Sequence, residues 1–439
     1  MNTPICDFVN QYIKNDTTRL HMPGHKGKGP LGFEQMDITE VFGADSLFHA
    51  SGIIRKSEEN ASSLFDSFKT YYSTEGSSHL IRSMLLIARG GDKDGYVLAA
   101  RNAHSSFISA CALIDLEVKW LLGKSSYLSC ELTPQDLEKA LTCVDKMPFC
   151  VYVTSPDYLG NTLDIKGLSE VCHRYGVMLL VDNAHGAYLR FLEKSEHPIN
   201  LGADMCCDSA HKTLPALTGG AYLHISKNAA HLAKDAKDSM ALFASSSPSY
   251  LTLCSLDKLN SYLAGEYRSD LSGFICKVSK TKEQISSYGY TLVGNERLKI
   301  TIAAKEYGYL GTELGKILHE NNILCEFCDK DFLVLMVTPS NGEGDLDKLA
   351  CVLGDIPKRE PISKAMPAPC LSERKMSIKD AILSDKEEIS IDDAEGRTLA
   401  SLSVACPPAV SVIVAGEIFD KAAIEACRYN EIYTVKVVK

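Results

Sequence analysis

The chain has 439 residues, 45% of them hydrophobic, with 46 basic against 56 acidic side chains and a net charge of −10. A chain of this length buries a large core and has room for roughly two or three domains. The acidic balance, with no local basic cluster, excludes nucleic acid as the expected partner. The first residues, MNTPICDFVNQYIKND, have neither a basic n-region nor an apolar h-region, and no apolar run is long enough to span a bilayer, so a cytoplasmic protein with no membrane association is expected.

From about residue 70 to 225 short apolar strands alternate with amphipathic helices, the pattern of a mostly parallel sheet covered on both faces. The segment STEGSSHLIRSMLLI places small hydroxyl and glycine residues before an apolar helix, so Ser73, Thr74, Gly76 and neighbouring amides can hold a phosphate at a helix N-terminus. The plain alternative is an N-capping loop. Next comes the strand GYVLAA (95 to 100), which runs into RNAHSS and brings His104 to a sheet edge, where an imidazole can stack on a flat ring. A structural histidine is the alternative. Thr133 and Pro134 open a helix in TPQDLEKAL as N-cap and first helical residue.

The strands PFCVYVTSP (148 to 156) and GVMLLVDNA (176 to 184) flank a helix with Leu168, Val171, Cys172 and Tyr175 at helical spacing. Asp164 is its candidate N-cap and Gly176 its stop, which completes a βαβ series. Asp182 closes the second strand, and Lys212, in DSAHKT, follows thirty positions later, enough for one helix and the next parallel strand. The carboxyl ends of adjacent strands are where open α/β sheets bind ligands, so both residues are expected to face one pocket. An amine beside a carboxylate suits pyridoxal phosphate (PLP), which needs a Schiff-base lysine and an anion to keep its pyridine nitrogen protonated. Ser209 is a further candidate for the phosphate, or else a turn cap. Taken singly, Asp182 also reads as a capping loop residue and Lys212 as a solvated surface lysine.

After about residue 290 the pattern restarts with the strand ERLKITIAA, a helix carrying Leu310, Leu314, Ile317 and Leu318, and the strand FLVLMVTP, which indicates a smaller α/β domain. Cys325 and Cys328 form a lone CxxC on an expected strand with no second pair or histidine to complete a zinc set, so a structural role and no metal are expected. The sixteen cysteines are scattered through a large chain without an export signal, which favours reduced thiols. Pro357, Pro361, Pro367 and Pro369 then mark a linker to a C-terminal segment. The expected divisions are 1–285, a large domain with an N-terminal arm; 286–356, the small α/β domain; and 357–439, the linker and C-terminal α+β segment.

These residues resemble the PLP-dependent ornithine, lysine and arginine decarboxylases of the bacterial type, which have the aspartate aminotransferase-like fold (PLP fold type I). The resemblance runs through HMPGHKG (21 to 27), DITE (37 to 40), RNAHSS (101 to 106), SPDYLG (155 to 160), VDNAHG (181 to 186), SAHKTLPALT (209 to 218), AEGRTLA and CPPAVSVIVAGE. It implies Lys212 as the Schiff-base lysine, Asp182 as partner of the pyridine nitrogen and His104 stacked on the ring. Ser209 and His211 then flank the cofactor, the loop Ser73, Thr74, Glu75 and Gly76 holds the phosphate, and Ala184 and His185 pack against the cofactor's other side. The resemblance also implies a homodimer or larger homo-oligomer, with PGHKG approaching the interface, and decarboxylation of lysine, ornithine or arginine to a polyamine-type amine. With PGHKG beginning at residue 23, the short form without a receiver-like N-terminal domain is expected. Where the family commonly has other residues, this chain has Tyr72, Ser77, Ser105, Asn183 and Gly219. Transamination or another PLP reaction on the same fold, and a paralogue kept for binding or regulation, are the alternative readings.

Overall fold

A computed structural model describes residues 1–123, 126–406 and 410–439. The strands of the first 230 residues are β1 (Lys69–Ser73), β2 (Tyr96–Ala100), β3 (Glu117–Leu121), β4 (Cys150–Thr154), β5 (Met178–Asp182), β6 (Met205–Asp208) and β7 (Ala221–Ile225). The chain divides into two compact units, one of residues 1–93 with 172–271 and one of residues 94–171 with 272–439.

In the first unit the strand order is β1-β7-β6-β5. β5 and β6 run parallel, with Leu180, Val181 and Asp182 opposite Met205, Cys206 and Cys207. β7 is antiparallel to both β6 and β1. β5 and β6 are almost wholly buried, which is why they read as continuous apolar runs rather than alternating ones. The helix Gly76–Arg89 packs on β6 and β7 and buries Leu80, Met84 and Leu85. On the remaining side, Asp257 in the helix Tyr250–Ala264 accepts the backbone N–H groups of Ile5 and Cys6, both at 2.9 Å. It thereby satisfies orphan donors at the start of the helix Pro4–Lys14.

In the second unit β2 pairs in parallel with both β3 and β4. The helix Pro134–Thr142 between β3 and β4 opens on a capping box formed by Thr133 and Asp136. The helix Ile165–Arg174 leads from β4 to β5. Asp164 Oδ1 accepts from Gly167 N at 3.0 Å at its start, and Gly176, at φ +68°, ends it. An antiparallel sheet follows, in the order β10-β11-β9-β8, from β8 (Leu292–Val293), β9 (Lys299–Ala303), β10 (Phe327–Cys328) and β11 (Phe332–Met336). Its core holds Ile300, Ile302, Leu314, Leu318, Leu333 and Leu353. Leu310, expected inside the helix there, is the N-cap of Gly311–Glu320. Residues 357–373 form no regular element, as their prolines foretell. The C-terminal stretch adds the two-stranded pairs β12 (Lys386–Ser390) with β15 (Thr434–Val438) and β13 (Ser403–Cys406) with β14 (Val410–Val414).

Fifteen cysteines among the described residues are free thiols. Among the described residues no helix is long and apolar enough to cross a membrane.

Candidate active site

The first unit brings most of the sequence-predicted site residues together at the carboxyl ends of β5 and β6. The apolar strand β5 ends on Asp182, which is 3% exposed and accepts the Ala184 N–H at 3.1 Å. Cys207, its register partner on β6, points its thiol at the same carboxylate, 3.8 Å from Oδ1. Behind Asp182 the chain turns, Gly186 N donating to Asn183 O at 2.8 Å, and this turn carries the buried Ala184 and His185.

β6 runs into Ser209 and then the single helical turn Ala210–Thr213. That turn carries Lys212 back across to the β5 end, where its Nζ lies 2.9 Å from His185 Nε2. An amine on one strand end and an imidazole on the next are therefore in hydrogen-bond contact, with a buried carboxylate three positions before the imidazole. His211 turns away, its Nδ1 on Gly220 O at 3.0 Å. Burial pushes the His211 pKa down, only partly offset by the Gly220 carbonyl, and Lys212 adds to the fall.

The anion end is the start of the helix Gly76–Arg89, after the N-cap Glu75. Sequence reasoning named Ser73, Thr74, Glu75 and Gly76 here. Ser73 is buried, its Oγ accepting from Glu75 N at 3.0 Å and paired with His79 Nδ1 at 2.8 Å. Glu75 is exposed and accepts the Ser245 N–H at 2.7 Å. Gly76 gives its N–H to Gly219 O at 2.8 Å, so that amide braces the loop. Ser77, noted in the sequence only as a departure from the family and not as a phosphate candidate, also stands here: Ser209 Oγ donates to Ser77 Oγ at 2.8 Å. Two hydroxyls thus meet at a helix N-terminus, where backbone N–H groups and the helix dipole favour an anion. The signal was present in the run Gly76, Ser77, Ser78, which continues the loop into the first helical turn.

His104 belongs to the second unit, four residues after the end of β2. It N-caps the helix Ser105–Leu113, its Nδ1 accepting from Ser106 N at 3.1 Å.

A lysine amine, a buried carboxylate and a hydroxyl-lined helix N-terminus within one unit match the three demands of PLP: covalent attachment, an anion for the ring nitrogen and a seat for the phosphate.

Comparison with known proteins agrees. Residues 3–301 match the Orn/Lys/Arg decarboxylase major domain and residues 361–435 its C-terminal domain. The chain is 29% identical to an arginine decarboxylase of Halalkalibacterium halodurans, across 98% of this chain and 93% of that protein. It is 27% identical to an arginine decarboxylase of Bacillus subtilis, across 95% and 91%. The constitutive lysine decarboxylase of E. coli superposes with a TM-score of 0.80 at 16% identity, covering 100% of this chain and 82% of that one. A lysine decarboxylase of Francisella novicida gives 0.83 at 15%, covering 100% and 81%. These structures share the fold, and the family match covers both ends of the chain. The chain belongs to the Orn/Lys/Arg decarboxylase family and is an amino-acid decarboxylase with the PLP type I fold.

Proposed function

We propose that the protein binds PLP through Lys212 in its first unit and uses it to convert a basic amino acid into the corresponding amine and carbon dioxide. The observation that carries this reading is the contact of Lys212 Nζ with His185 Nε2 beside the buried Asp182. Bound there, PLP supplies a sink for the electron pair released when a bond to the substrate α-carbon breaks.

The chain's own residues do the rest. Asp182, buried at the end of β5, would hold a proton on the pyridine nitrogen. Ser77, Ser209 and the helix N-terminus bind the phosphate. Lys212 must be a neutral amine to form its bond, and the His185 imidazole is placed to take the ammonium proton. Once the substrate carboxylate has left as carbon dioxide, Lys212 or His104 would return a proton to the α-carbon. His104 is assigned to the cofactor ring from the RNAHSS pattern alone. The same reading takes the working form as a cytoplasmic homodimer or larger homo-oligomer producing a polyamine-type amine.

The test incubates the purified, PLP-loaded protein with arginine, lysine and ornithine separately, and follows amine and carbon dioxide by chromatography and gas release. Arginine is the first to assay, because that is the substrate in the names of the two sequence relatives. Amine and carbon dioxide in equal amounts from one of the three is the expected result. A ketoacid without amine would point to transamination instead.

A further inference from the structure

One residue beyond Cys207, the register partner of Asp182, on the opposite face of the first unit's sheet, lies a buried carboxylate that the chemistry above does not use. Asp208 ends β6 and is 0% exposed. Its Oδ1 accepts from Asn183 Nδ2 at 2.7 Å. Its Oδ2 accepts from His197 Nε2 at 2.9 Å and His224 Nε2 at 3.1 Å. Both histidines and Asn183 are fully buried as well. Burial pushes the Asp208 carboxyl up, but His197 and His224 outweigh it and hold the group well below the usual carboxylate range.

The location gives the cluster its meaning. Side chains alternate across a strand, so Asp182 and Cys207 share one face while Asn183 and Asp208 share the other. Asn183 directly follows Asp182, and Lys212 stands four positions after Asp208. The Asn183–Asp208 bond therefore ties together, from the far side of the sheet, the two chain ends that present Asp182 and Lys212. His197 comes from the loop before β6 and His224 from β7, so each flank of the strand end is fastened to the same carboxylate.

A divalent cation is the other occupant that two histidines and an aspartate suit. The outer ring nitrogens argue against it. His224 Nδ1 is paired with Thr70 Oγ1 at 2.8 Å, but His197 Nδ1 has no hydrogen-bond partner. A metal on His197 Nε2 would force the ring proton onto Nδ1 and bury an N–H with nothing to receive it. With the proton on Nε2, that hydrogen points at Asp208, and Nδ1 is left only as an unused acceptor, the cheaper of the two defects.

We propose that Asp208 is a positioning residue of the cofactor site: by clamping Asn183, His197 and His224 it fixes the spacing of the segments that carry Asp182 and Lys212. The inference rests on the assignment of those two residues to PLP. Its test exchanges the two partners of the central bond. Asn183→Asp alone sets two carboxylates at hydrogen-bond distance. In the double variant Asn183→Asp with Asp208→Asn, the amide introduced at position 208 offers its oxygen to both histidines and its N–H to the new carboxylate, so every bond is remade.

PLP is titrated into each apoprotein, with the dissociation constant read from the long-wavelength absorbance band and the thermal midpoint of the apoprotein measured in parallel. The single variant is expected to bind PLP at least about tenfold more weakly, the effect of one mispaired buried polar group, and the double variant to recover to within about threefold. If the single variant does not fold, near-normal PLP affinity in the double variant still supports the clamp. Wild-type affinity in the single variant, no recovery in the double, or a change in thermal midpoint without a change in affinity would each overturn it. Stoichiometric metal in the purified protein, lost on His197→Gln, would also overturn it in favour of a metal centre. Lys212→Ala serves as the control for the underlying assignment: a band that survives that substitution refutes the Lys212 assignment, whereas failed recovery with Lys212 upheld refutes the clamp alone.

Discussion

The role proposed for Lys212 depends on where a single turn of helix puts it. The helical turn Ala210–Thr213 is four residues long, and Lys212 Nζ rests on His185. We expect Lys212→Ala to abolish the long-wavelength band of the PLP-loaded protein while leaving its far-ultraviolet circular dichroism unchanged, since the side chain is only half-buried. Asp182 is a different case, because its carboxylate also accepts the Ala184 N–H that shapes the turn. Asp182→Asn keeps that acceptor and removes the charge. Turnover should fall by about a hundredfold or more, the size of an electrostatic contribution of roughly 3 kcal/mol, with the band retained. Steady-state assays beside absorbance spectra separate the two effects.

At the scale of elements, the loop proposed to hold the phosphate is shaped by a residue outside it. Gly219 has φ +93°, and a Cβ there would lie 2.5 Å from Thr74 O. Its carbonyl also takes the Gly76 N–H. Gly219→Gln therefore needs both a left-handed backbone and space that Thr74 occupies, so the loop must move. We expect PLP affinity to drop by about tenfold or more, read by titration of the apoprotein, with the strain costing roughly 1–3 kcal/mol. The strand β7 carries a second testable feature in His224, whose pKa burial pushes down despite the pull of Asp208 in the other direction. A depressed histidine contributes stability above the unfolded value, near 6.5, and loses it as pH falls, because only the unfolded chain takes the proton. His224→Gln keeps a donor toward Asp208 without titrating. The stability advantage of wild type over this variant should shrink on going from about pH 7.5 to 5.5, by up to about 1.4 kcal/mol per pH unit in urea unfolding.

What the sequence made legible at this scale follows physical range. The strands β2, β4 and β5 and the caps Asp164, Thr133 and Gly176 are set by neighbours a few residues away, and they stand where spacing placed them. The antiparallel entry of β7 beside β6 and the meeting of Asn183, His197, Asp208 and His224 are set by pairing between distant segments. No local pattern encodes them. Ser77 lay between the two regimes: it was visible in the loop, but its contact with Ser209 depends on a residue 132 positions away.

For the molecule as a whole, the second unit poses the question of why a decarboxylase chain continues past its small α/β sheet. The answer the residues give is an ion pair. Arg101 directly follows β2, three positions before His104, and its Nη2 lies 2.7 Å from Glu417 Oε2 and 3.3 Å from Val412 O. The guanidinium also stacks over the Trp120 ring at 4.8 Å, and Glu417 Oε2 accepts the Val414 N–H at 2.9 Å. Both charged side chains are buried, 3% and 2% exposed. The C-terminal segment is thus fastened to the end of the strand that leads to His104, not appended to the small sheet alone. A buried pair contributes little against an apolar replacement, but removing one partner strands the other's charge. Glu417→Gln should therefore destabilise the protein by about 3–5 kcal/mol, whereas Arg101→Met with Glu417→Leu should cost much less, because no charge is left behind. Chemical unfolding of the three proteins at one pH decides the matter. Equal losses in the single and double variants would mean that packing, and not the stranded charge, holds the C-terminal segment in place.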